Sequence, residues 1–215
     1  MADNPQFKSS ALHLEMNHGI AHLGLGAPPR NELTEQRLGE LCSLIKQLTS
    51  NTEIRGLILM GRGRHFSSGA DVGELTSSPS LENTASLTRN RQGFERLEKA
   101  PFPVVAAIRG CCFGVGLELA LACHFRVATS SAVLAMPEVE YGLIPGCGGT
   151  VRLAEKIGMG PAIELIMSGR TCAAEEAYQL GLVDRVVDKK ELHTAATLAI
   201  HNAIRAGHPQ RTPQK

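Results

Sequence analysis

Two glutamates stand alone in apolar or glycine-rich sequence near the middle of the chain. Glu118 is the sole charged residue of residues 114–123, where apolar side chains all round predict a buried helix. Glu138 follows twenty residues later, directly after a proline. An unpaired carboxylate is costly to bury, so Glu118 either pairs with a base such as Arg109 or Arg126 or serves a functional site. Two carboxyl groups at one site can divide acid and base chemistry between them.

Two glycine-bearing turns are candidates for backbone donors at the same site. Residues 67–71 predict a strand-to-helix turn, with N–H groups near Ala70 that no strand pairing uses. Gly114, Val115 and Gly116 open the glutamate-bearing helix, whose first N–H groups have no acceptor within the helix. Two such donors aimed at one point form an oxyanion hole, because glycine lets a substrate oxygen approach the main chain closely. Taken alone, each turn is more often a tight packing contact than a ligand-binding site.

Strands alternating with helices are predicted around these residues. The periodicities favour a hairpin over 12–25 with its turn at 17–19, further strands at 54–60, 104–108, 125–128 and 133–136, and helices at 34–48, 84–99, 148–156, 161–167, 173–180 and 191–205. The strand at 104–108 is expected to run directly into the helix of Glu118. In a strand, Glu140 would face away from Glu138, so we expect it to be structural. Residues 207–215 are predicted to be disordered.

Composition favours a soluble protein that binds its partner locally. The 215 residues include 22 Lys plus Arg and 21 Asp plus Glu, so no long-range field points to nucleic acid or a membrane surface. The six cysteines form no Cys-x-x-Cys pair and are typical of reduced, intracellular thiols. No apolar signal core or membrane-length segment is present in the sequence. We therefore expect a cytoplasmic protein; a matrix protein that has lost a mitochondrial presequence would give the same pattern.

Other common sites are not supported by the residue spacing. Gly110, Gly114 and Gly116 do not have the dinucleotide-binding spacing, and neither a phosphate-binding loop nor a nucleophile elbow occurs. His18 and His22 are four residues apart around a predicted turn, with no Cys or carboxylate cluster beside them. They are expected to be surface or packing histidines, so no metal is predicted.

The order and spacing of four motifs resemble the crotonase superfamily, the enoyl-CoA hydratase and isomerase family. The resemblance covers about Ile20 to Val187. The motifs are His65-Phe-Ser-Ser-Gly-Ala-Asp71, Gly114-Val-Gly-Leu-Glu118-Leu-Ala, Pro137-Glu138 and Gly142-Leu-Ile-Pro-Gly-Cys-Gly-Gly-Thr-Val-Arg-Leu153. The resemblance implies an α/β fold, a crotonase-like spiral of repeated ββα units with a shortened C-terminal helical region. It divides the chain into a core domain at 1–187 and a short C-terminal helix and tail at 188–215.

The activity that this resemblance implies is hydration of a 2-enoyl-CoA thioester. Ala70 and Val115 would donate their N–H groups to the thioester oxygen. Glu118 would activate the water that attacks C3, and Glu138 would supply the proton to C2. Coenzyme A would enter as part of the acyl-CoA substrate, with no separate cofactor. The family also implies a homotrimer or a dimer of trimers.

Further residues are assigned to substrate binding by the same resemblance. Backbone groups around Ser68, Ala70 and Val72 would hold the adenine end of CoA, and Arg64 falls where relatives often place a phosphate-binding base. The substrate-binding set is Arg64, Ser68, Ala70, Asp71, Val72, Gly114, Gly116 and Tyr141. Candidates for the acyl pocket are Leu75, Leu87, Phe94 and Tyr141, which are equally consistent with plain core.

Two positions depart from the family's pattern. Val115 stands where hydratases usually carry a glycine, and Gly73 stands where many have a lysine directed to the CoA phosphates. Val115 keeps its N–H group, but its side chain would narrow the site or tilt the thioester, and Gly73 removes one favourable charge contact. Three functions therefore stay open: the hydratase, another crotonase-type reaction such as isomerisation or thioester hydrolysis, and a non-catalytic acyl-CoA binder.

Overall fold

The chain begins its sheet with the predicted hairpin. In the computed structural model, which describes residues 12–76 and 81–207, strands β1 (His13–Asn17) and β2 (Ile20–Leu25) pair antiparallel. The turn between them has positive φ at His18 (48°) and Gly19 (80°). Two successive left-handed residues match the twist of a two-residue hairpin, which a glycine and a histidine can adopt at modest cost.

Seven further strands and eight helices follow within the described residues. The strands are β3 (Gly56–Gly61), β4 (Val104–Ile108), β5 (Cys111–Phe113), β6 (Phe125–Thr129), β7 (Val133–Ala135), β8 (Cys172–Ala173) and β9 (Arg185–Val187). The helices are α1 (Glu35–Ser50), α2 (Val72–Thr76), α3 (Leu81–Glu98), α4 (Val115–Leu121), α5 (Gly149–Ile157), α6 (Met159–Ser168), α7 (Ala174–Gln179) and α8 (Leu192–Arg205). A 3₁₀ helix spans Pro137–Tyr141.

The strands form two sheets, one of six strands and one of three. The large sheet has the order β1-β2-β3-β4-β6-β9 and is parallel from β2 onward. The small sheet has the order β5-β7-β8, with β5 and β7 parallel. A helix follows each of β2, β3, β5, β8 and β9, and the structure is the α/β spiral that the sequence motifs imply.

Alternate residues of the central strands pack into two separate cores. Leu57 and Leu59 of β3 belong to the larger core, with α1, α3 and α4, whereas Ile58 faces the opposite side of the sheet. On that side α8 covers the sheet with Leu192, Ala196 and Ile200. Because side chains alternate along a strand, a parallel strand covered on both faces must be apolar throughout, as 57–59 is. The division at residue 187 stays a prediction; α8 packs directly on the sheet that precedes it.

Most predicted elements are confirmed, and the differences have local causes. The strand at 104–108 does not run directly into the helix of Glu118, because β5 and Gly114 intervene. Glu138 and Glu140 lie in the 3₁₀ helix and not in a strand, since Pro137 at its start favours a helical turn. The prediction for the tail at 207–215 falls almost wholly outside the described residues.

A network of hydrogen bonds and an ion pair stabilises the buried charge of Arg126 near the start of β6. Arg126 is fully buried, and its guanidinium donates to Asp184 (2.8 Å) and to the backbone oxygens of Leu182 and Cys123 (2.8 Å each). Arg126 is therefore a structural residue that ties β6 to the segment before β9. In the described part of the chain, no helix has both the length and the apolar character needed to cross a bilayer.

Candidate active site

Glu118 is buried in α4 and is held by backbone donors. One of its carboxyl oxygens, Oε1, accepts hydrogen bonds from the N–H groups of Cys147 and Gly149, each at 2.7 Å. The side chain does not pair with Arg109 or Arg126, so that alternative is wrong. Because two N–H groups favour the ionised carboxylate, they offset part of the cost of burying it.

Glu138 occupies a different electrostatic environment. Its Oε2 atom is buried and has no hydrogen-bond partner within the described residues. Burial is the main cause that raises the pKa of Glu138 to about 7; a hydrogen bond from its own backbone N–H opposes the rise, and the negative charge of Glu118 adds to it. Burial also raises the pKa of Glu118, but there the bonds from Gly149 and Cys147 and the nearby cations oppose the rise.

The two carboxyl groups therefore suit different tasks. Glu118, with its N–H donors, is the better general base, and Glu138 retains a proton near neutral pH and is the better acid. The influence of Glu118 on the pKa of Glu138 places the two groups within electrostatic reach of each other. The two glutamates lie on different elements, α4 and the 3₁₀ helix, and are twenty positions apart in the chain.

The two glycine-bearing turns lie side by side next to Glu138. A Cβ added to Gly69 would come within 3.8 Å of the Cα of Gly114, and one added to Gly114 would lie 3.2 Å from Oε1 of Glu138. Both glycines have positive φ, 97° and 52°, a region that side chains disfavour. Within the described residues, the N–H groups of Ala70 and Val115 have no protein acceptor. The turns thus bring two unsatisfied donors close to a buried carboxyl group.

Val115 keeps its backbone donor, and its side chain is buried in the larger core at 7% exposure. Gly114 anchors the start of α4 because its N–H donates to Ala135 O of β7 at 3.0 Å. Gly116 faces Ser67, since a Cβ on Gly116 would lie 2.7 Å from the Cβ of Ser67. Its close packing lets α4 approach the 67–70 turn.

Asn31 positions the first turn and was not found from the sequence. It is fully buried, and its side-chain amide donates to Arg62 O and His65 O, each at 2.7 Å. Its backbone oxygen accepts from the Ser67 hydroxyl (2.8 Å), which in turn accepts from Gly69 N–H (3.1 Å). The positive φ of Asn31, 53°, is a local signal that asparagine tolerates. No sequence pattern connects residue 31 with residue 67.

The substrate-binding candidates are partly occupied by internal contacts. The N–H of Ser68 donates to Arg30 O (2.9 Å), so this donor is used within the protein. The side chain of Asp71 accepts from the N–H of Gly73 (2.8 Å) and of Glu74 (3.3 Å), and so caps α2. Arg64 is exposed, and Val72 is 40% exposed on α2. These two positions border the 67–71 turn in sequence and face solvent.

The acyl-pocket candidates separate into core and surface. Phe94 is fully buried in the larger core, whereas Leu87 is 39% exposed and is therefore not a core residue. Leu87 lies against Gly146, where an added Cβ would be 2.9 Å from it. Tyr141 is 45% exposed at the end of the 3₁₀ helix. The prediction for Leu75 falls outside the side chains that the structure describes.

Histidine and cysteine side chains form no metal cluster in residues 12–76 and 81–207. His22 stacks on His193 with ring centroids 5.1 Å apart, which ties β2 to α8. All six cysteines are free thiols. The predicted packing role of His22 is confirmed.

A sequence profile described as enoyl-CoA hydratase/isomerase matches residues 15–210. This chain belongs to the enoyl-CoA hydratase/isomerase family. The "Probable enoyl-CoA hydratase" of Bacillus subtilis (strain 168) is 40% identical over 206 residues, which cover 95% of this chain and 78% of that protein. The fatty acid oxidation complex subunit alpha of Shewanella loihica is 36% identical over 205 residues, and this chain spans 29% of its length.

Solved structures of the enoyl-CoA hydratase/isomerase family share this fold. A structure from Thermobifida fusca YX, in complex with CoA, superposes with a TM-score of 0.83 at 32% identity and covers 91% of this chain and 79% of its own. The predicted membership of the crotonase superfamily is thereby confirmed, together with its fold.

Proposed function

We propose that this protein is an enoyl-CoA hydratase that adds water across the 2,3 double bond of an acyl-CoA thioester. The observation that carries the proposal is the pair of carboxyl groups, that of the buried Glu118 and that of the half-buried Glu138 with its buried Oε2 atom, beside two turns that present unsatisfied N–H groups. A family member needs both a base and an acid for hydration. Here Glu118 has the environment of the base, and Glu138 has that of the acid. The named relative from Bacillus subtilis supports the same reaction class.

In this mechanism the thioester oxygen accepts hydrogen bonds from the N–H groups of Ala70 and Val115. These fixed donors stabilise the negative charge that develops on that oxygen when water adds to C3. Glu118 takes a proton from the attacking water, and Glu138 gives its proton to C2. The product is a 3-hydroxyacyl-CoA, and the proton taken up by Glu118 returns to Glu138 through solvent in the next cycle.

Substrate recognition is assigned to the surface beside the 67–71 turn. Arg64, exposed in the structure, is proposed to contact a CoA phosphate. Val72 and the carbonyl groups near Ser68 are proposed to border the adenine. The CoA found with the Thermobifida fusca relative supports a CoA thioester as the ligand class. Tyr141, at the end of the 3₁₀ helix, is proposed to contact the acyl chain.

The test is loss of the conjugated enoyl-thioester absorbance when purified protein is added to crotonyl-CoA. We expect wild-type protein to form 3-hydroxybutyryl-CoA, and Glu118→Gln and Glu138→Gln each to lower kcat by roughly 10²- to 10⁴-fold. Glu140→Gln is the matched control, since Glu140 is exposed on the same 3₁₀ helix. Release of free CoA would assign a hydrolase, and a shifted double bond an isomerase. Binding of the thioester without turnover would assign a non-catalytic binder.

A further inference from the structure

Two arginines hold the turn that supplies the hydrogen bonds to Glu118. The turn consists of residues 146–149 and ends where α5 begins. Arg91 of α3 donates from Nε to Gly146 O at 2.6 Å, and Arg152 of α5 donates from Nη1 to Cys147 O at 2.8 Å. Arg152 is itself fixed by an ion pair with Glu98 at 3.3 Å. Neither arginine contacts the carboxyl group of Glu118 directly.

The hydrogen bonds alternate along the main chain of this turn. The peptide group between Gly146 and Cys147 accepts from Arg91 through its oxygen and donates to Glu118 through its N–H, at 2.7 Å. A cation on the oxygen side polarises the peptide and makes its N–H a stronger donor to the carboxylate on the other side. Arg152 acts on the next peptide oxygen and so fixes the path of the chain between the two donors.

Gly148 shows how closely Arg152 lies on the turn. It has φ of 96°, and a Cβ added there would collide with the guanidinium group of Arg152. The side chain of Arg152 is 10% exposed and that of its partner Glu98 is 22% exposed, so their ion pair is shielded from most solvent. Shielding makes such a contact less sensitive to salt than a surface pair.

We propose that Arg91 and Arg152 are positioning residues that hold the 146–149 turn with its N–H groups directed at Glu118. The proposal deepens the hydratase proposal and rests on it for its effect on turnover. A donor displaced by a fraction of an ångström would leave Glu118 both less fixed and less stabilised as an anion. The arginines would therefore act on the rate of the chemical step and not on binding of the CoA thioester.

The pH dependence distinguishes this role from general support of the fold. The charged or titratable groups that face Glu118 are Glu138 from the 3₁₀ helix, Arg91 from α3, Arg152 from α5 and the thiol of Cys147. Removing either cation raises the pKa of Glu118, because both arginines favour its ionised form. Since a general base must be ionised, the loss of kcat is expected to be larger at pH 6 than at pH 8.

The experiment compares Arg152→Met and Arg91→Met with Arg152→Lys and the control Arg96→Met. Arg96 is exposed on α3, and its side chain makes no hydrogen bond or ion pair among the described residues. We expect Arg152→Met to lower kcat for crotonyl-CoA by about tenfold or more at pH 6, with KM unchanged. Arg152→Lys should recover part of the loss. Equal losses at both pH values, or none, would overturn the proposal.

A second readout does not depend on catalysis. The thiol of Cys147 is 3% exposed within the turn, and Cys112 is fully buried elsewhere in the larger core. Labelling with a maleimide, followed by peptide mass spectrometry, should become faster at Cys147 in Arg152→Met and stay unchanged at Cys112. Faster labelling at both sites, or at neither, would contradict a positioning role.

The two readouts separate the two proposals. If wild-type protein hydrates no enoyl-CoA while Cys147 is selectively exposed in Arg152→Met, the hydratase proposal fails and the positioning of the turn stands. If hydration is confirmed but Arg152→Met leaves both kcat and Cys147 labelling unchanged, the positioning proposal fails alone.

Discussion

Replacing Glu138 by glutamine should stabilise the protein, and more so at high pH. Burial raises the pKa of Glu138 from 4.5 to about 7, so the folded protein binds this proton more tightly than the unfolded chain does. Stability therefore falls as pH rises from 4.5 to 7, because the unfolded state releases its proton first. Glutamine is neutral at all these pH values and has nearly the same shape as the protonated acid.

The magnitude follows from the two pKa values. At about 1.4 kcal/mol per tenfold change in proton affinity, wild-type Glu138 loses on the order of 2.5 kcal/mol of stability between pH 5 and pH 8. Residual solvent exposure screens part of this penalty, so we expect the gain from Glu138→Gln to be about 1 to 2 kcal/mol larger at pH 8 than at pH 5. The unpartnered Oε2 atom of Glu138 is the physical origin of the effect.

The assay is urea unfolding of both proteins at pH 5 and pH 8, at one protein concentration so that any self-association contributes equally. Glu140→Gln, exposed on the same 3₁₀ helix, controls for removing one negative charge from the surface. A gain that is the same at both pH values, or a glutamine variant less stable at pH 8, would refute the reasoning. Such a result would mean that Glu138 is better solvated than its burial indicates.

Three further substitutions test the site and its support. Val115→Pro removes the second oxyanion N–H group, and the first position of a helix tolerates proline. We expect kcat for crotonyl-CoA to fall by roughly 100-fold. Val115→Ala is the control, because it keeps the N–H donor and should keep most of the activity. Asp184→Asn leaves Arg126 buried without its counter-ion and should lower the free energy of unfolding by about 3 kcal/mol in urea titrations. Gly116→Ala places a Cβ 2.7 Å from that of Ser67 and should cost about 1 to 3 kcal/mol by the same measurement. Unfolding midpoints equal to that of the wild type would contradict the predictions for Asp184→Asn and Gly116→Ala. An unchanged kcat in Val115→Pro would contradict the prediction for that variant.

The sequence was sufficient where local pattern and packing agree. The helix predicted at 34–48 forms as α1, where Leu38, Leu41 and Ile45 repeat at helical spacing and are all buried. The strand at 104–108 was predicted with its observed bounds because five apolar residues in a row match a strand covered on both faces. Glu118 was found for a related reason, since one carboxylate in an apolar helix is costly unless it is stabilised.

The tertiary structure alone decided what stabilises Glu118. Sequence offered Arg109 or Arg126 as partners, but Arg126 is used by Asp184 and the donors are backbone N–H groups twenty-nine and thirty-one positions along the chain. Almost every residue type has a backbone N–H group, so the sequence does not indicate that Cys147 and Gly149 are the donors.

The difference between Glu138 and Glu118 was likewise decided by the fold. Both are glutamates with the same intrinsic acidity, and their separate tasks arise from what each carboxyl group meets. Glu118 meets two N–H groups and lies near two cations, whereas Glu138 has a buried oxygen without a partner and a neighbouring negative charge. The sequence determined that both residues are glutamates, but the tertiary structure determined the proton affinities of the two carboxyl groups. Desolvation and the effect of nearby charges depend on distances in the folded protein and not on sequence order.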